Sequence, residues 1–209
     1  YVVRHGQGYS RFEHTSHGIA LELLQYVPLE DPIKISRLKI RNHSRRSRRL
    51  SVTAYVEWVL GSSRAASAPS VATAIDPETG AMLARNHWNA EFGGQVAFAD
   101  LGGRQVAWTA DRTEFIGRNG TLDHPVAMEA RMPLSNRVGA GLDPCGALQA
   151  LIELGPNEET EIVFLFGEAA TRTEAVRLIA RYRTTDLDAV LRAVTRRWDE
   201  VLGAVQEIG

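Results

Sequence analysis

Leu50-Ser51-Val52-Thr53-Ala54-Tyr55-Val56-Glu57-Trp58-Val59-Leu60 alternates apolar with polar positions along most of its length. Leu50, Val52, Ala54, Val56, Trp58 and Leu60 fall on one side, with Ser51, Thr53, Tyr55 and Glu57 on the other. A two-residue period places successive side chains on opposite faces of an extended chain, so this stretch reads as a long, half-buried strand. Upstream, Ile33 and Ile35, then Leu38 and Ile40, alternate in two phases with a slip near Ser36 and Arg37. The slip predicts a β-bulge or a strand that changes its buried face. Between the two stretches lie Asn42-His43-Ser44 and the basic run Arg45, Arg46, Arg48 and Arg49, which read as the solvated tip of an antiparallel hairpin.

Working outward, further strands are expected at residues 19–27, 71–75, 82–85, 96–100, 105–110, 145–154 and 161–166. Turn chemistry separates them: Asp76-Pro77-Glu78-Thr79-Gly80 offers Pro for a fixed φ and Gly for a positive one, and Gly102-Gly103 and Gly155-Pro156-Asn157 serve similarly. Residues 62–70, rich in Ser and Ala, read as a surface loop. After Gly167 the period changes. Thr171 and Glu174 form a capping box opening a short helix with Val176, Ile179 and Ala180 as its apolar face. In a second helix Leu187, Val190, Leu191, Val194, Trp198, Val201, Leu202 and Val205 make one stripe. Many strands followed by two helices, without βαβ alternation, predict a mostly β, antiparallel sandwich over residues 10–167 and two C-terminal helices within 171–205.

The composition is that of a folded domain: 209 residues, 44% hydrophobic and 23% charged. Lys+Arg 24 against Asp+Glu 25 leaves a net charge of −1, which provides no field for nucleic acid or an anionic membrane surface. Cys145 is the single cysteine, so an internal disulfide and a Cys-based zinc site are excluded, and a reducing compartment is expected. No apolar run reaches the roughly 20 residues of a membrane span, and the N-terminus lacks signal-peptide order. The chain opens on Tyr1, which predicts a segment of a longer protein.

Several residues invite chemistry. His5, His14 and His17 accompany Glu13, but their spacing fits no zinc pattern and Gly6, Gly8 and Gly18 oppose a helix. Gly6-Gln7-Gly8-Tyr9-Ser10 lacks the strand before and helix after it that a phosphate-cradling loop requires. Ser10, Ser44 and Ser135 sit in no nucleophile elbow, and Cys145 reads as a small buried thiol. Arg85-Asn86-His87-Trp88-Asn89-Ala90-Glu91-Phe92 is more suggestive, because sugars are held by an aromatic face and by planar amides and carboxylates. Residues 111–120 add Arg112, Glu114, Arg118 and Asn119 at a second polar loop. Two readings stand side by side: a sugar-contacting surface, or loops whose polar groups satisfy their own backbone while Trp88 joins the core.

Five ordered strings resemble a known family. They are Gly8-Tyr9-Ser10-Arg11-Phe12-Glu13-His14, Asp31-Pro32-Ile33-Lys34-Ile35, Tyr55-Val56-Glu57-Trp58-Val59-Leu60-Gly61, Arg112-Thr113-Glu114-Phe115-Ile116-Gly117-Arg118-Asn119-Gly120 and Gly139-Ala140-Gly141-Leu142-Asp143-Pro144-Cys145. Together they resemble the glycoside hydrolase family 94 region of cyclic β-1,2-glucan synthases, from about Tyr9 to the terminal helices. The resemblance implies an antiparallel supersandwich of the galactose-mutarotase type over residues 1–168. Residues 169–209 would then be a helical linker leading to a catalytic (α/α)₆ barrel outside this chain. It also implies that inorganic phosphate is the co-substrate and that the general acid, an Asp, belongs to the barrel. On that basis no catalytic residue, metal or cofactor is expected on this chain. The implied partners are a β-glucan oligosaccharide, the downstream barrel and a second copy in a homodimer. The implied setting is the cytoplasmic side, as a soluble part of an inner-membrane protein. Since sandwich loops in related phosphorylases help wall the substrate cleft, the expected contacts are Asn86, Trp88, Asn89, Arg112, Glu114, Arg118 and Asn119. Two alternatives remain. One is a self-sufficient mutarotase-like enzyme using His87 with Glu91, or His124 with Glu129, as acid and base. The other is a pure oligomerisation or spacer domain.

Overall fold

The computed structural model describes residues 1–129 and 133–204. In chain order the strands are β1 (Val2–Gly6), β2 (Tyr9–Ser16), β3 (Ile19–Tyr26), β4 (Ile33–Asn42), β5 (Arg48–Glu57), β6 (Val71–Ile75), β7 (Met82–Asn86), β8 (Val96–Asp100), β9 (Ala107–Asp111), β10 (Pro144–Leu154) and β11 (Glu159–Ala169). The helices are α1 (Arg64–Ser67), α2 (Arg112–Phe115), α3 (Val126–Glu129), α4 (Arg172–Thr184) and α5 (Leu187–Gly203). Eight strands form one sheet in the order β1-β2-β3-β4-β11-β8-β7-β6, and three form a second in the order β5-β10-β9. All strand pairings are antiparallel.

The expected sandwich is therefore present, with two layers of apolar side chains. Between the sheets, Ile40, Trp58, Met82, Ala99, Leu101, Leu148 and Ile162 are buried together. On the opposite face of the large sheet, Ile33, Ile35, Phe98 and Leu165 meet Ala175, Ile179, Tyr182 and Val194 of α4 and α5. This double burial accounts for the phase slip in β4. Its pairing with β3 and β11 runs without a register shift, so no bulge exists. Ile33 and Ile35 point to the helices at one end, while Leu38 and Ile40 point between the sheets at the other.

The expected hairpin between β4 and β5 is not formed. β4 pairs with β3 and β11, and β5 pairs with β10, so residues 43–47 carry the chain from one sheet to the other. Both strands direct apolar residues into the same core, and alternation alone does not distinguish a hairpin from this crossing. Asn42 holds the corner: its Nδ2 donates to the carbonyls of Arg46 (2.9 Å) and Gly155 (2.9 Å), and its Oδ1 accepts from Ser44 N at 3.0 Å. A second difference lies at the N-terminus, where the glycine-bearing polar segment is the hairpin β1–β2, turning at Gly8 with φ 80°.

Of the expected capping box the Thr171 half is formed, Glu174 N donating to Thr171 Oγ1 at 3.2 Å, and no return bond to the Glu174 carboxylate is found among the described residues. The buried face of α4 is Ala175, Ile179 and Tyr182, with Leu178 packed alongside. Val176 is only half-buried and Ala180 is exposed, because the helix lies on the face that Tyr182 and Ala175 share. Ion pairs fix it. Arg172 reaches Asp76 (2.9 Å) and Arg183 reaches Asp100 (2.6 Å), both carboxylates being fully buried, while Tyr182 OH donates to Asp31 at 2.6 Å. α5 begins in place, where Tyr26 OH donates to Leu187 O (2.8 Å) and Arg37 joins Glu161 to Asp188. Beyond Val194 it leaves Trp198, Val201 and Leu202 largely exposed, and Val205 lies outside the described residues.

Candidate functional site at the loop end of the sandwich

β5 and β9 end, and β10 begins, at one end of the sandwich, as the registers Glu57 with Cys145 and Asp111 with Pro144 require. β7 ends there as well, because Asn86 Nδ2 donates to Leu60 O at 2.9 Å. At this end a groove of about 550 Å³ is lined by Leu60, Ser62, Asn86, Asn89, Glu91, Phe92, Gln95, Ala97 and Glu168. Its loop is built by two of the predicted residues. Asn86 Oδ1 accepts from Trp88 N (3.1 Å), and Asn89 Oδ1 accepts from Glu91 N (3.0 Å) and Phe92 N (2.9 Å). Their amides thus serve mainly their own backbone. Trp88 stands 85% exposed and is no part of the core.

The groove also gathers residues that sequence reasoning did not select: Gln95, Phe92 and Glu168. The side chains of Glu91, Gln95 and Glu168 take no hydrogen bond or ion pair among the described residues, so their polar atoms remain available to a ligand. Glu168 follows an apolar run just after Gly167, near the end of β11, and nothing in the sequence ties that strand to the Trp88 loop.

The second predicted loop is organised differently. Arg112 Nε donates to Glu57 Oε1 (3.0 Å), Arg64 bridges Glu57 and Asp143, and Tyr55 OH donates to Glu57 at 2.9 Å. Three of the five resembling strings therefore converge on one ion-pair network, through Glu57, Arg112 and Asp143. Burial works upward on the Glu57 carboxyl, but hydrogen bonds from Tyr55 and Arg112 and the nearby guanidinium charges outweigh it and hold it below the usual carboxylate range. Burial pushes the Tyr55 hydroxyl up, reinforced by its bond to Glu57. Glu114 is a clamp, accepting from Thr109 Oγ1 (2.6 Å), Ser135 N (2.8 Å) and Ser135 Oγ (2.6 Å). These bonds overcome burial and lower its pKa as well. Arg118 and Asn119 are exposed on the turn after Gly117, whose φ is 97°. A Cβ at Gly120 would lie 2.0 Å from Ile116 O, so this turn requires glycine there.

The two loops share an end of the sandwich without forming one site. Residues 57–64 join them, through Leu60 O on one side and Arg64 on the other. Neither proposed acid–base pair lies in an enclosed site. His87 lines a different depression, with Arg85, Asp76 and Arg172, from the groove that holds Glu91. His124 Nδ1 and Glu129 Oε1 are 3.7 Å apart, both strongly exposed. His5 pairs with Ser10 Oγ (2.9 Å) and Glu13 with Arg4. Cys145 is buried against Thr109 O, and burial pushes its thiol pKa up, which leaves it unreactive.

Comparison with known proteins agrees with this architecture. The profile of the family described as "Glycosyl hydrolase 94, supersandwich domain" matches residues 1–185. The chain is 32% identical over 206 residues to the cyclic beta-(1,2)-glucan synthase NdvB of Rhizobium meliloti (strain 1021), covering 99% of this chain and 7% of that protein. It is 30% identical over 187 residues to solabiose phosphorylase of Paenibacillus borealis, covering 87% of this chain and 24% of that protein. Among solved structures, a putative kojibiose phosphorylase from human microbiome superposes with TM-score 0.53 at 7% identity, over 91% of this chain and 23% of that one, a likeness of fold. The chain thus spans a quarter or less of the relatives it matches, and among the described residues no helix is long and apolar enough to cross a membrane. The strand order, the helical tail and the matched profile lead to one conclusion: the chain belongs to the glycosyl hydrolase 94 family, as its supersandwich domain.

Proposed function

We propose that this chain is a non-catalytic, carbohydrate-contacting domain of a longer β-glucan phosphorylase or cyclic β-1,2-glucan synthase, and that its loop end walls the substrate cleft. The observation that carries the reading is the groove formed by the loop that bears Trp88, whose lining includes Asn86, Asn89, Glu91 and Phe92 from either side of the indole. An indole 85% exposed stands on a loop whose neighbours supply uncommitted carboxylates and an amide, the two kinds of group that hold a sugar. Trp88 offers the flat face, Glu91, Glu168 and Gln95 accept or donate to hydroxyls, and Asn86 and Asn89 hold the loop in shape. Arg118 and Asn119 extend the same end. Arg112 and Glu114 act at one remove, by fixing the turn that presents those two residues.

In this reading the chain supplies no acid, base or nucleophile. Inorganic phosphate is the co-substrate of the longer protein, and its barrel supplies the chemistry. The homodimer and the cytoplasmic, membrane-associated setting belong to the same proposal and rest on the resemblance. The mutarotase alternative has little in its favour, since one acid–base pair is split between two depressions and the other is exposed, with His124 in the turn before α3 and Glu129 at its end.

The test is a pair of substitutions in the full-length protein. Trp88→Ala and Arg118→Ala should lower phosphorolysis of a β-1,2-glucan, read as glucose 1-phosphate release, by about tenfold or more for Trp88, the scale of a lost stacking contact of ~1.4 kcal/mol. Unchanged kcat/KM in both variants would refute the assignment.

A further inference from the structure

The two sheets differ in width, eight strands against three, and the surplus is not spread evenly. Along the row Ile162, Leu38, Leu23, Phe12 and Val3, which share one face by register, burial falls steadily. Ile162 is enclosed, the next three are half-buried, and Val3 is exposed. The inner face of β7 and β8 is covered by the small sheet, that of β4 and β11 is covered only in part, with Leu38, Phe164 and Phe166 half-buried, and β1, β2 and β3 extend beyond it. At the boundary lies β5, an edge strand of ten residues. It pairs with β10 along its length without a register shift and contains no proline. Among the described residues no backbone hydrogen bond reaches its outer edge. A cleft of about 420 Å³ runs beside that edge, with Leu23, Leu38, Val52, Val56, Phe164 and Phe166 in its lining and Lys34 at its rim.

An unprotected edge beside an apolar cleft is a template for strand addition. A strand about 4.8 Å beyond β5 and about 10 Å from the large sheet would stand over β4 and β3. Every second side chain would then enter the cleft against Leu23 and Leu38. We propose that β5 receives such a strand from a segment of the same polypeptide outside residues 1–209, with apolar residues at alternate positions. This rests on the reading above only in placing the chain within a longer protein, and relatives of which the chain covers 7% and 24% supply the necessary polypeptide. A second copy is a poor occupant. Joining two copies at β5 about a two-fold axis would bring both overhanging β1–β3 portions into the same layer, where they collide.

The experiment places p-benzoylphenylalanine at Leu23, and separately at Lys34, in the full-length protein, followed by irradiation and peptide mapping. The expected result is a cross-link from either position to a peptide outside residues 1–209, in a product of unchanged mass. Lys34 is exposed, so that variant keeps the test alive should substitution at Leu23 disturb folding. A product of doubled mass, cross-links confined to residues 1–209, or no cross-link from either position would overturn the proposal. Glucan phosphorolysis by the Trp88→Ala protein reports on the carbohydrate reading independently.

Discussion

The two polar loops at the end of the sandwich look alike in sequence and do opposite work. Around Arg112 the polar atoms are committed: Glu57, Arg64, Arg112 and Asp143 neutralise one another, and Glu114 accepts three hydrogen bonds. Around Trp88 the loop is shaped by two amides, while Glu91, Gln95 and Glu168 find no side-chain partner among the described residues and the indole stays in solvent. A polar cluster that satisfies itself stabilises a fold, and one with unspent groups can recognise a ligand. The number of polar residues in a loop therefore says little, and their existing partners say much.

The contrast is broken most severely at a tryptophan of the other kind. Trp58 is 1% exposed and stacks on Phe166 at 5.8 Å, so Trp58→Ala should cost about 3–5 kcal/mol by urea denaturation. A loss below about 1 kcal/mol would show that the inter-sheet core is not packed as described. Next comes the committed loop. Glu114→Ala strands Thr109 and Ser135 and should cost about 1–3 kcal/mol. The folded pKa values of Glu57, Asp76 and Glu114 are all depressed; for Asp76, burial is outweighed by hydrogen bonds from Thr79 and Arg172. Their stabilisation is complete above the unfolded carboxylate pKa of about 4 and is lost as pH falls through the lower folded values. The melting temperature should thus be flat from about pH 7 to 5 and fall below about 4, less steeply in Glu114→Gln. The smallest effect belongs to the open loop, where Trp88→Ala should shift stability by no more than about 0.5 kcal/mol.

Much of this fold could be read in advance. Residues 71–75 and 96–100, apolar runs between turn signals, coincide with β6 and β8, and Thr171 caps the start of α4 as expected. What escaped has definite causes. β1 is exposed along its whole length, so its strand leaves no apolar alternation to detect. The partner of β5 is β10, some ninety residues away, and periodicity carries no information about partners at that separation. Of the candidate site, the Trp88 loop stood out in the sequence as an aromatic among amides and carboxylates. Glu168 did not, because it stands 80 positions downstream of Trp88 and joins the groove only through the pairing of β11 with β8.

Contact between the Trp88 loop and glucan can be read by site-resolved oxidation of tryptophan with N-bromosuccinimide in the full-length protein. Trp88 should oxidise rapidly in the free protein, with partly exposed Trp198 as the internal reference. A saturating β-1,2-glucan oligosaccharide should slow oxidation of Trp88 at least about fivefold, roughly the 1 kcal/mol of a stacking contact, and leave Trp198 unchanged. Equal oxidation of Trp88 with and without the glucan, under conditions where the protein turns that glucan over, would contradict the account.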